Sequence, residues 1–354
     1  MPRNMAFGPH GATAIDLCVH DIVTRLPTDV TVTVYAEDNV TPFDDLPPNV
    51  SLKLFPRRSW RQKQSFLPRI ASALRLDAPD VIVVQQHLPS AAAMVRLVSH
   101  VPVLLHAHNF QWHGRGLKRV LQKRRYQRLA GIIFVSNACR DDYHRHWPDV
   151  AIPAHVVPNG VDITRWQPHA ERQKNIVFAG RLTPDKGVLP LVQAVANVLP
   201  NYPDWRADFI FGEQDKHPDY KKQVLAALQP VTAQTTVRAQ QPYAEVKRLY
   251  ESAGVAVVPS AYREAFGRVA IEAMAGGAAL VSSTNGGLDE VIGDAAVRLP
   301  EITAPAIENA LRLLLADSAL RAEYAARGRA RAAEFTLANT VAKFIEICRA
   351  TMIR

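Results

Sequence analysis

The chain has 354 residues, of which 48% are hydrophobic and 21% charged, and its formal net charge at pH 7 is +9. This length predicts about two domains with full hydrophobic cores. A membrane-spanning helix needs roughly 18 consecutive apolar residues, and no segment supplies them. The N-terminus also lacks the apolar stretch of a signal peptide, so we expect a cytoplasmic protein. Three widely separated cysteines match no metal or redox spacing.

The basic excess lies in the N-terminal half of the chain. Residues 1–166 contain 20 Lys and Arg against 13 Asp and Glu, whereas the remainder contains 22 and 20. This asymmetry predicts an anionic partner for the first half, such as a phosphorylated lipid, an acidic saccharide, a membrane surface or nucleic acid. A nucleic-acid surface would interleave aromatic and basic residues. Because Trp60, Trp112 and Tyr126 offer little of that pattern, we expect no nucleic-acid partner.

The basic residues are concentrated in one segment of this half. Residues 117–129 combine six Lys and Arg with interspersed Leu and Val. This pattern predicts a helix that contacts anionic head groups, at about 1 kcal/mol per basic residue near such a surface. The alternative is a solvated charged face. A second basic stretch, residues 57–63, surrounds Trp60.

Short apolar runs alternate with helical patterns throughout the first half. A turn-like stretch at residues 8–13 precedes a helical pattern at 15–26, and further helices are predicted at 66–76 and 90–99. Strands are predicted at residues 29–36, 50–55, 81–84, 101–105, 131–135 and 155–157. Continuous apolar strands separated by helices indicate parallel strands buried on both faces. Ligands bind at the carboxyl ends of such strands. His87 and His108 are therefore site candidates, and their alternative is the structural role that a lone histidine more often has.

The same alternation occurs again after a polar linker at residues 167–174. Strands are predicted at residues 175–179, 207–211, 235–239, 255–258 and 278–281, and helices at 188–199, 220–228, 243–253, 305–315 and 319–353. Two such series predict an α/β protein with two doubly wound Rossmann-like domains that face a cleft. We place the first domain at residues 1–166 and the second at residues 167–335, followed by a helix at 336–354.

Two carboxylates, Glu264 and Glu272, stand eight residues apart around Phe266 and Gly267. A helix over the whole span would place both carboxylates near one face, whereas a helix that starts at Gly267 would leave Glu264 in the preceding loop. A helix N-terminus offers free N–H groups to an anion, and carboxylates accept hydrogen bonds from hydroxyl groups. The stretch therefore suits a phosphate beside sugar hydroxyls. Its simpler alternative is a pair of solvated carboxylates.

Five short motifs follow one another in the second half of the chain, and a sixth stands just before them. They are residues 158–162 (PNGVD), 180–187 (GRLTPDKG), Gly212, 259–260 (PS), 264–277 (EAFGRVAIEAMAGG) and 286–292 (GGLDEVI). In this order they resemble the retaining, nucleotide-sugar-dependent glycosyltransferases of the GT-B fold, also called glycosyltransferase family 4 or group 1. The resemblance is dense over residues 150–300 and loose before them.

The resemblance implies a role for each motif. Arg181 and Lys186 would grip the donor diphosphate, and both side chains suit phosphate oxygens. Glu264 would face the donor sugar, and Glu272 would accept hydrogen bonds from the ribose hydroxyls. The other implied contacts are His108 in the cleft, Gly11 near the donor phosphates, the backbone of Phe266, Gly267 and Arg268, and close backbone approach at Gly180, Gly286 and Gly287.

The resemblance also implies a reaction. A hexose would move from a UDP- or GDP-sugar to an acceptor hydroxyl with retention of configuration, with no metal and no other cofactor. The basic first domain adds an expectation about the acceptor, which would be a cell-envelope saccharide or lipid-linked glycan of the lipopolysaccharide or exopolysaccharide type. The protein would then contact the inner face of a membrane peripherally. The last helix would return to the first domain.

Three features differ from the family pattern, and two other functions stay open. Residues 9–11 (PHG) lack adjacent glycines, the first strand is nearly absent, and residues 239–241 (AQQ) replace a usual glycine. A sugar-nucleotide epimerase could share the architecture, but it would need acid/base carboxylates and histidines in the cleft. A catalytically silent subunit of a glycan assembly complex need not keep all four of the charged residues assigned above.

Overall fold

The computed structural model describes residues 7–9, 13–38, 41–56 and 66–352. The chain forms two compact units, Met1–Gly160 together with Leu337–Arg354, and Val161–Thr336. The boundary falls at Gly160, a few residues before the predicted one after Trp166, and the C-terminal helix counts with the first unit.

Parallel strands alternate with helices in both units. The strands are β1 (Val32–Asp38), β2 (Val50–Pro56), β3 (Ile82–Gln85), β4 (Val103–Ala107), β5 (Gly131–Phe134), β6 (Ala154–Val156), β7 (Gln173–Arg181), β8 (Arg206–Gly212), β9 (Thr235–Ala239), β10 (Ala253–Val258), β11 (Ala279–Ser282) and β12 (Ala296–Arg298). Every pairing between these strands is parallel. The prediction of doubly wound α/β units is confirmed.

Thirteen α-helices lie within the described residues. They are α1 (Ala14–Val23), α2 (Phe66–Asp77), α3 (Leu88–Leu97), α4 (Leu117–Tyr126), α5 (Asn137–His146), α6 (Val188–Val198), α7 (Pro218–Leu228), α8 (Tyr243–Ser252), α9 (Arg268–Ala275), α10 (Gly287–Ile292), α11 (Ala304–Ala316), α12 (Ser318–Glu334) and α13 (Leu337–Met352). In the part of the chain that the structure covers, none of them has the length and apolar character to cross a membrane.

The first unit has two parallel sheets, and α13 packs on both. One sheet pairs β1 with β2, and the other has the order β3-β4-β5-β6. Val341 and Ile345 of α13 join the apolar cluster around α1 and β1, whereas Ile347 joins that of β4 and β5. The Thr340 hydroxyl also donates a hydrogen bond of 2.9 Å to the carbonyl oxygen of Pro158. These contacts explain why the last helix belongs to the first unit.

The second unit has one sheet with the order β12-β11-β10-β7-β8-β9. The chain starts in the middle at β7, continues outward through β8 and β9, and then returns to β10 on the other side of β7. The strand order therefore reverses between β7 and β10. Ligands of open α/β sheets bind beyond the carboxyl ends of the strands at such a switch point. The fold thus directs attention to the loops that follow β7 and β10.

One predicted helix is wrong in its extent, and two helices were not predicted. The continuous helical pattern expected at residues 319–353 is interrupted between α12 and α13, close to residue 336, where the last helix was placed on the basis of the resemblance. Phe335 and Thr336 leave helical geometry there because the Val161 N–H donates to the Phe335 carbonyl oxygen at 2.8 Å and Val161 forms a parallel bridge with Thr336. Helices α5 and α10 were not predicted, because α5 is largely polar and α10 has only six residues.

Candidate active site

The loops after β7 and β10 are joined in the second unit. The carbonyl oxygen of Asp185 accepts backbone hydrogen bonds from Ala261 at 2.9 Å and Tyr262 at 3.2 Å. Gly187 permits this approach, because its φ is +64° and a Cβ there would lie 2.0 Å from the Pro259 carbonyl oxygen. Glycine is the residue that tolerates both conditions.

An ion pair links two of the predicted site residues across these loops. Lys186 Nζ pairs with Glu264 Oε1, and the Ser260 hydroxyl donates to the same carboxylate oxygen at 2.5 Å. Both charged side chains are about one-fifth exposed, so a ligand can reach them. This ion pair can separate when an anionic ligand replaces Glu264 as the partner of Lys186. This arrangement is suited to a ligand that carries a phosphate next to a hydroxyl.

The glycine pair also lies against Glu264. The Glu264 N–H donates to the Asn285 carbonyl oxygen at 3.1 Å, and the Gly287 N–H donates to the Glu264 carbonyl oxygen at 2.7 Å. Gly286 has a φ of +72°. The Asn285 side-chain amide further donates to the Ser260 carbonyl oxygen at 2.8 Å. Three segments distant in sequence are therefore held together at the carboxyl edge of one sheet.

Arg181 lies at the end of β7, with Gly180 before it. Its guanidinium donates to the Asp185 carboxylate at 2.9 Å and is about half exposed. Burial raises the pKa of Asp185, but the neighbouring Thr183 and the charges of Arg181 and Lys186 outweigh it, so that the pKa lies below its ordinary value. The loop thus places two cations beside this carboxylate, and both kinds of side chain suit the oxygens of a diphosphate.

Helix α9 begins directly beside this loop. Gly267 precedes it with a φ of +111°, and a Cβ there would lie 2.5 Å from a methyl carbon of Leu288. Because α9 starts at Arg268, Glu264 lies in the preceding loop and not on the helix. Of the two placements that the sequence allowed, the loop is the right one. Phe266 is buried and packs edge-to-face on Phe335 with ring centroids 5.8 Å apart.

Glu272 is a buried carboxylate on α9 with two side-chain partners on one oxygen. Its Oε1 accepts from Arg268 Nε at 2.8 Å and from the Tyr243 hydroxyl at 3.3 Å. Arg268 was predicted to contribute its backbone, and its side chain proves to be an ion-pair partner as well. Tyr243 was missed, because no motif marks it and α8 brings it to Glu272 only in the folded unit. The predicted role of Glu272 at the ribose stays a prediction.

The remaining described candidate, His108, lies in the first unit just after β4. It is buried, its Nε2 lies 2.8 Å from Gln85 Oε1, and its ring centroid is 4.1 Å from that of His106. Burial, and secondarily the charge of a protonated His106, hold the pKa of His108 well below its ordinary value. The imidazole is therefore neutral at physiological pH. Gly11 lies outside the described residues.

His87 makes a local contact at the start of a helix. It precedes α3, and its Nδ1 lies 2.7 Å from the Ser90 hydroxyl. This local contact at a helix start favours the structural alternative for His87.

A cluster of His113, Asp142 and His146 was not predicted from the sequence. His113 Nε2 lies 3.0 Å from Asp142 Oδ2, and these donor atoms and that of His146 all fall within 4.8 Å of one another. The two imidazole rings, however, are stacked with centroids 3.5 Å apart and planes inclined by 9°. A metal ion bonds to the nitrogen lone pair in the ring plane, and two nearly parallel planes at this separation share no such point nearby. As arranged, the cluster holds the loop at His113 on α5.

Comparison with known proteins places these units in a family. The model for glycosyl transferases group 1 matches residues 162–331, and that for glycosyltransferase family 4 matches residues 17–165. Alpha-maltose-1-phosphate synthase of Mycolicibacterium smegmatis is 30% identical over 297 residues, 73% of this chain and 76% of the relative. The chain therefore belongs to the family 4 glycosyltransferases of the GT-B fold.

Other relatives match over a smaller share. The lipopolysaccharide 1,2-N-acetylglucosaminetransferase of Salmonella typhimurium is 30% identical over 47% of each chain. A D-inositol 3-phosphate glycosyltransferase of Nocardia farcinica is 31% identical over 54% of this chain, and the match spans 46% of the relative. The match thus spans about three quarters of the length of the first relative and about half of these two.

Solved structures confirm the fold. Anabaena HepE in complex with UDP and glucose has a TM-score of 0.78 and 18% identity, with 97% of both chains covered. Sucrose-phosphate synthase from Thermosynechococcus elongatus has a TM-score of 0.75 and 20% identity, with 96% of this chain and 94% of that chain covered.

Proposed function

We propose that this glycosyltransferase moves a hexose from a UDP- or GDP-sugar to a hydroxyl of a cell-envelope saccharide or lipid-linked glycan, with retention of anomeric configuration. The observation that carries this proposal is the Lys186–Glu264 ion pair at the strand-order reversal of the second unit. Arg181 lies on the same loop as Lys186. We assign the donor to the second unit and the acceptor to the first.

The proposed chemistry follows from the charges at this site. Lys186 and Arg181 would hold the diphosphate and offset the negative charge that grows on it as the bond to the sugar breaks. Entry of the diphosphate would draw Lys186 from Glu264, and the freed carboxylate would accept a hydrogen bond from a sugar hydroxyl. Retention would follow if a donor phosphate oxygen takes the acceptor proton on the face from which the diphosphate leaves. That step requires no protein nucleophile and no metal.

The relatives support the chemical class of both substrates. HepE was solved with UDP and with UDP-glucose. The D-inositol 3-phosphate glycosyltransferases and the lipopolysaccharide transferase act, by their names, on a phosphorylated acceptor and on an envelope glycan. The basic first half of this chain is complementary to acceptors of both kinds.

Thermal shift with UDP-, GDP- and ADP-sugars tests the donor assignment. Donor at about 100 times its dissociation constant should stabilise the protein by about 2.7 kcal/mol. Lys186→Ala and Glu272→Ala should lose that shift, whereas Lys174→Ala, an exposed lysine that pairs with Asp204 at the other end of β7, should keep it. A shift that survives Lys186→Ala, or no shift with any donor, would contradict the proposal. NMR of the glycoside formed would then decide the anomeric configuration.

We also propose that the first unit touches an anionic membrane through α4. Leu117, Val120 and Leu121 are 75%, 46% and 44% exposed on this helix, and the exposed basic residues of the segment are Lys118, Arg119, Arg124, Arg125 and Arg128. Helix α4 contains no acidic residue. Apolar side chains beside basic ones are the composition that binds an anionic membrane surface.

Flotation with liposomes tests this contact. Vesicles with anionic lipid should retain the protein at low salt and release it as salt screens the charges. The double substitution Leu117→Ser and Leu121→Ser should weaken retention, whereas Leu313→Ser, an exposed leucine of α11 (46%), should not. Equal retention by neutral and anionic vesicles, or no retention at low salt, would refute the contact.

A further inference from the structure

Two consecutive glutamines at the end of β3 hold the loop that carries His108. The Gln85 side chain meets the imidazole, with 2.8 Å between Gln85 Oε1 and His108 Nε2. The Gln86 side chain accepts from two backbone N–H groups of the loop, that of His108 at 2.7 Å and that of Asn109 at 3.0 Å. One glutamine thus binds the ring and the next binds the backbone beneath it.

The backbone of Gln86 is itself unusual. Its φ is +59°, in the left-handed region that non-glycine residues rarely adopt. Its N–H donates to the His106 carbonyl oxygen at 2.7 Å, which ties it to the neighbouring strand β4. Strained backbone of this kind persists where surrounding contacts over-determine it, and it clusters at functional sites. Here the contacts that hold it are those that place His108.

The contact with Gln85 selects one tautomer of His108. In this structure the Gln85 amide oxygen faces the ring, and an amide oxygen only accepts hydrogen bonds, so this contact is a hydrogen bond when the proton lies on Nε2 of the histidine. Burial keeps the ring neutral, so Nδ1 carries a lone pair and can accept but not donate. Among the described residues none donates to that atom. Gln85 is likewise buried.

We propose that Gln85 is a positioning residue that fixes His108 as the Nε2–H tautomer, with Nδ1 as the acceptor for a hydroxyl proton of the bound sugar. This assignment rests on the proposed function for its substrate, and on contacts within the first unit for its geometry. In this assignment His108 acts as a neutral hydrogen-bond acceptor. It acts neither as a cation that binds the diphosphate nor as a proton donor.

A spectroscopic test needs no substrate. The full-length protein is labelled with ¹⁵N-histidine, and the His108 signals are identified by their loss in His108→Gln. In the wild type, from about pH 6 to about pH 8, Nε2 should be protonated and Nδ1 unprotonated. Gln85→Met should give exchange between the two tautomers. Gln122→Met removes another buried glutamine, one that binds the loop before α4, and should leave the His108 signals unchanged.

The conservative substitution Gln85→Glu tests whether a carboxylate can keep the His108 tautomer and how transfer activity then depends on pH. A carboxylate still accepts from Nε2–H, so the tautomer should persist. Its charge also favours the protonated ring and raises the pKa of His108. His106 is the other titratable ring in contact with His108, and neither variant replaces it. Transfer activity of Gln85→Glu should match the wild type at high pH and fall on acidification, whereas Gln85→Met should lose about fivefold to tenfold in kcat/KM at every pH.

The outcomes separate this inference from the proposed function. Wild-type His108 protonated on Nδ1, an unchanged tautomer in Gln85→Met, or full activity of Gln85→Met would each overturn the inference. A wild type without transferase activity on any nucleotide sugar would refute the proposed function. The NMR comparison would still decide whether Gln85 fixes the tautomer.

Discussion

Acid should destabilise the first unit through His106, a histidine buried in the middle of the sheet. It is 1% exposed, and among the described residues neither ring nitrogen has a hydrogen-bond partner. Burial lowers the pKa of His106 from the ordinary 6.5 to about 3. We consider the substitution His106→Leu, which removes the titratable group and keeps a side chain of similar size.

The magnitude follows from the protons bound by each state. A base whose pKa is depressed by folding contributes stability that is complete above the unfolded pKa and is lost as the pH falls towards the folded pKa. At about pH 5.5 roughly nine-tenths of the unfolded chains carry a proton on His106, whereas the folded chains do not. The unfolded state gains roughly 1–2 kcal/mol from this proton between about pH 7.5 and about pH 5.5.

Urea unfolding at these two pH values measures the effect. Hydrogen exchange of peptides from β4 reports on the first unit alone. On acidification His106→Leu should lose roughly 1–2 kcal/mol less than the wild type. At the higher pH it should be at least as stable, because two unpaired buried nitrogens are removed.

A surface histidine provides the control. His144 lies exposed on α5, and its replacement by Leu should leave the pH dependence as in the wild type. If His106→Leu and the wild type lose equal stability on acidification, His106 is not a buried neutral imidazole and the reasoning fails.

Three further substitutions test contacts in both units. Gly187→Ala should lower the free energy of unfolding by roughly 2 kcal/mol or more, because the added Cβ would meet the Pro259 carbonyl oxygen and φ is positive. Gly212→Ala is the control, since the nearest atom to its added Cβ is 3.9 Å away. Equal unfolding midpoints for the two variants would contradict the argument. Thr340→Val should cost about 1 kcal/mol in urea unfolding through the lost bond to Pro158, and an unchanged midpoint would show that this bond does not stabilise α13. Tyr243→Phe should alter nucleotide-sugar affinity in calorimetric titration by less than about threefold, since Arg268 still holds Glu272; a larger loss would mean that the hydroxyl touches the ligand.

Much of the fold could be predicted because its signals are local. Buried parallel strands such as β4 and β10 are continuous apolar runs, and nothing outside the segment is needed to detect them. The order of the runs then limits the topology to two βα series. The local pattern continues through Phe335 without a break, since the break is caused by a pairing with Val161, far away in the chain; its position was expected only from the resemblance.

The candidate site also combines features that the sequence predicted with features that only the tertiary structure shows. The family resemblance nominated Lys186, whereas Glu264 was nominated by its spacing from Glu272 as well as by the resemblance. Only the tertiary structure shows that they pair with each other, that Ser260 joins them, and that Gly286 lies alongside. Strand order decides which loops become neighbours, and strand order is a property of the whole sheet.

What the sequence by itself determined is therefore the class of fold and the family, and it named the charged candidates for the site. The tertiary structure alone decided the burial and side-chain partner of His108, the partners of Glu272, and the contacts by which α13 packs on the first unit. Those properties depend on burial and on contacts between residues far apart in the chain. Desolvation and hydrogen-bond geometry arise only when such residues come together in the fold, so the local sequence pattern cannot predict them.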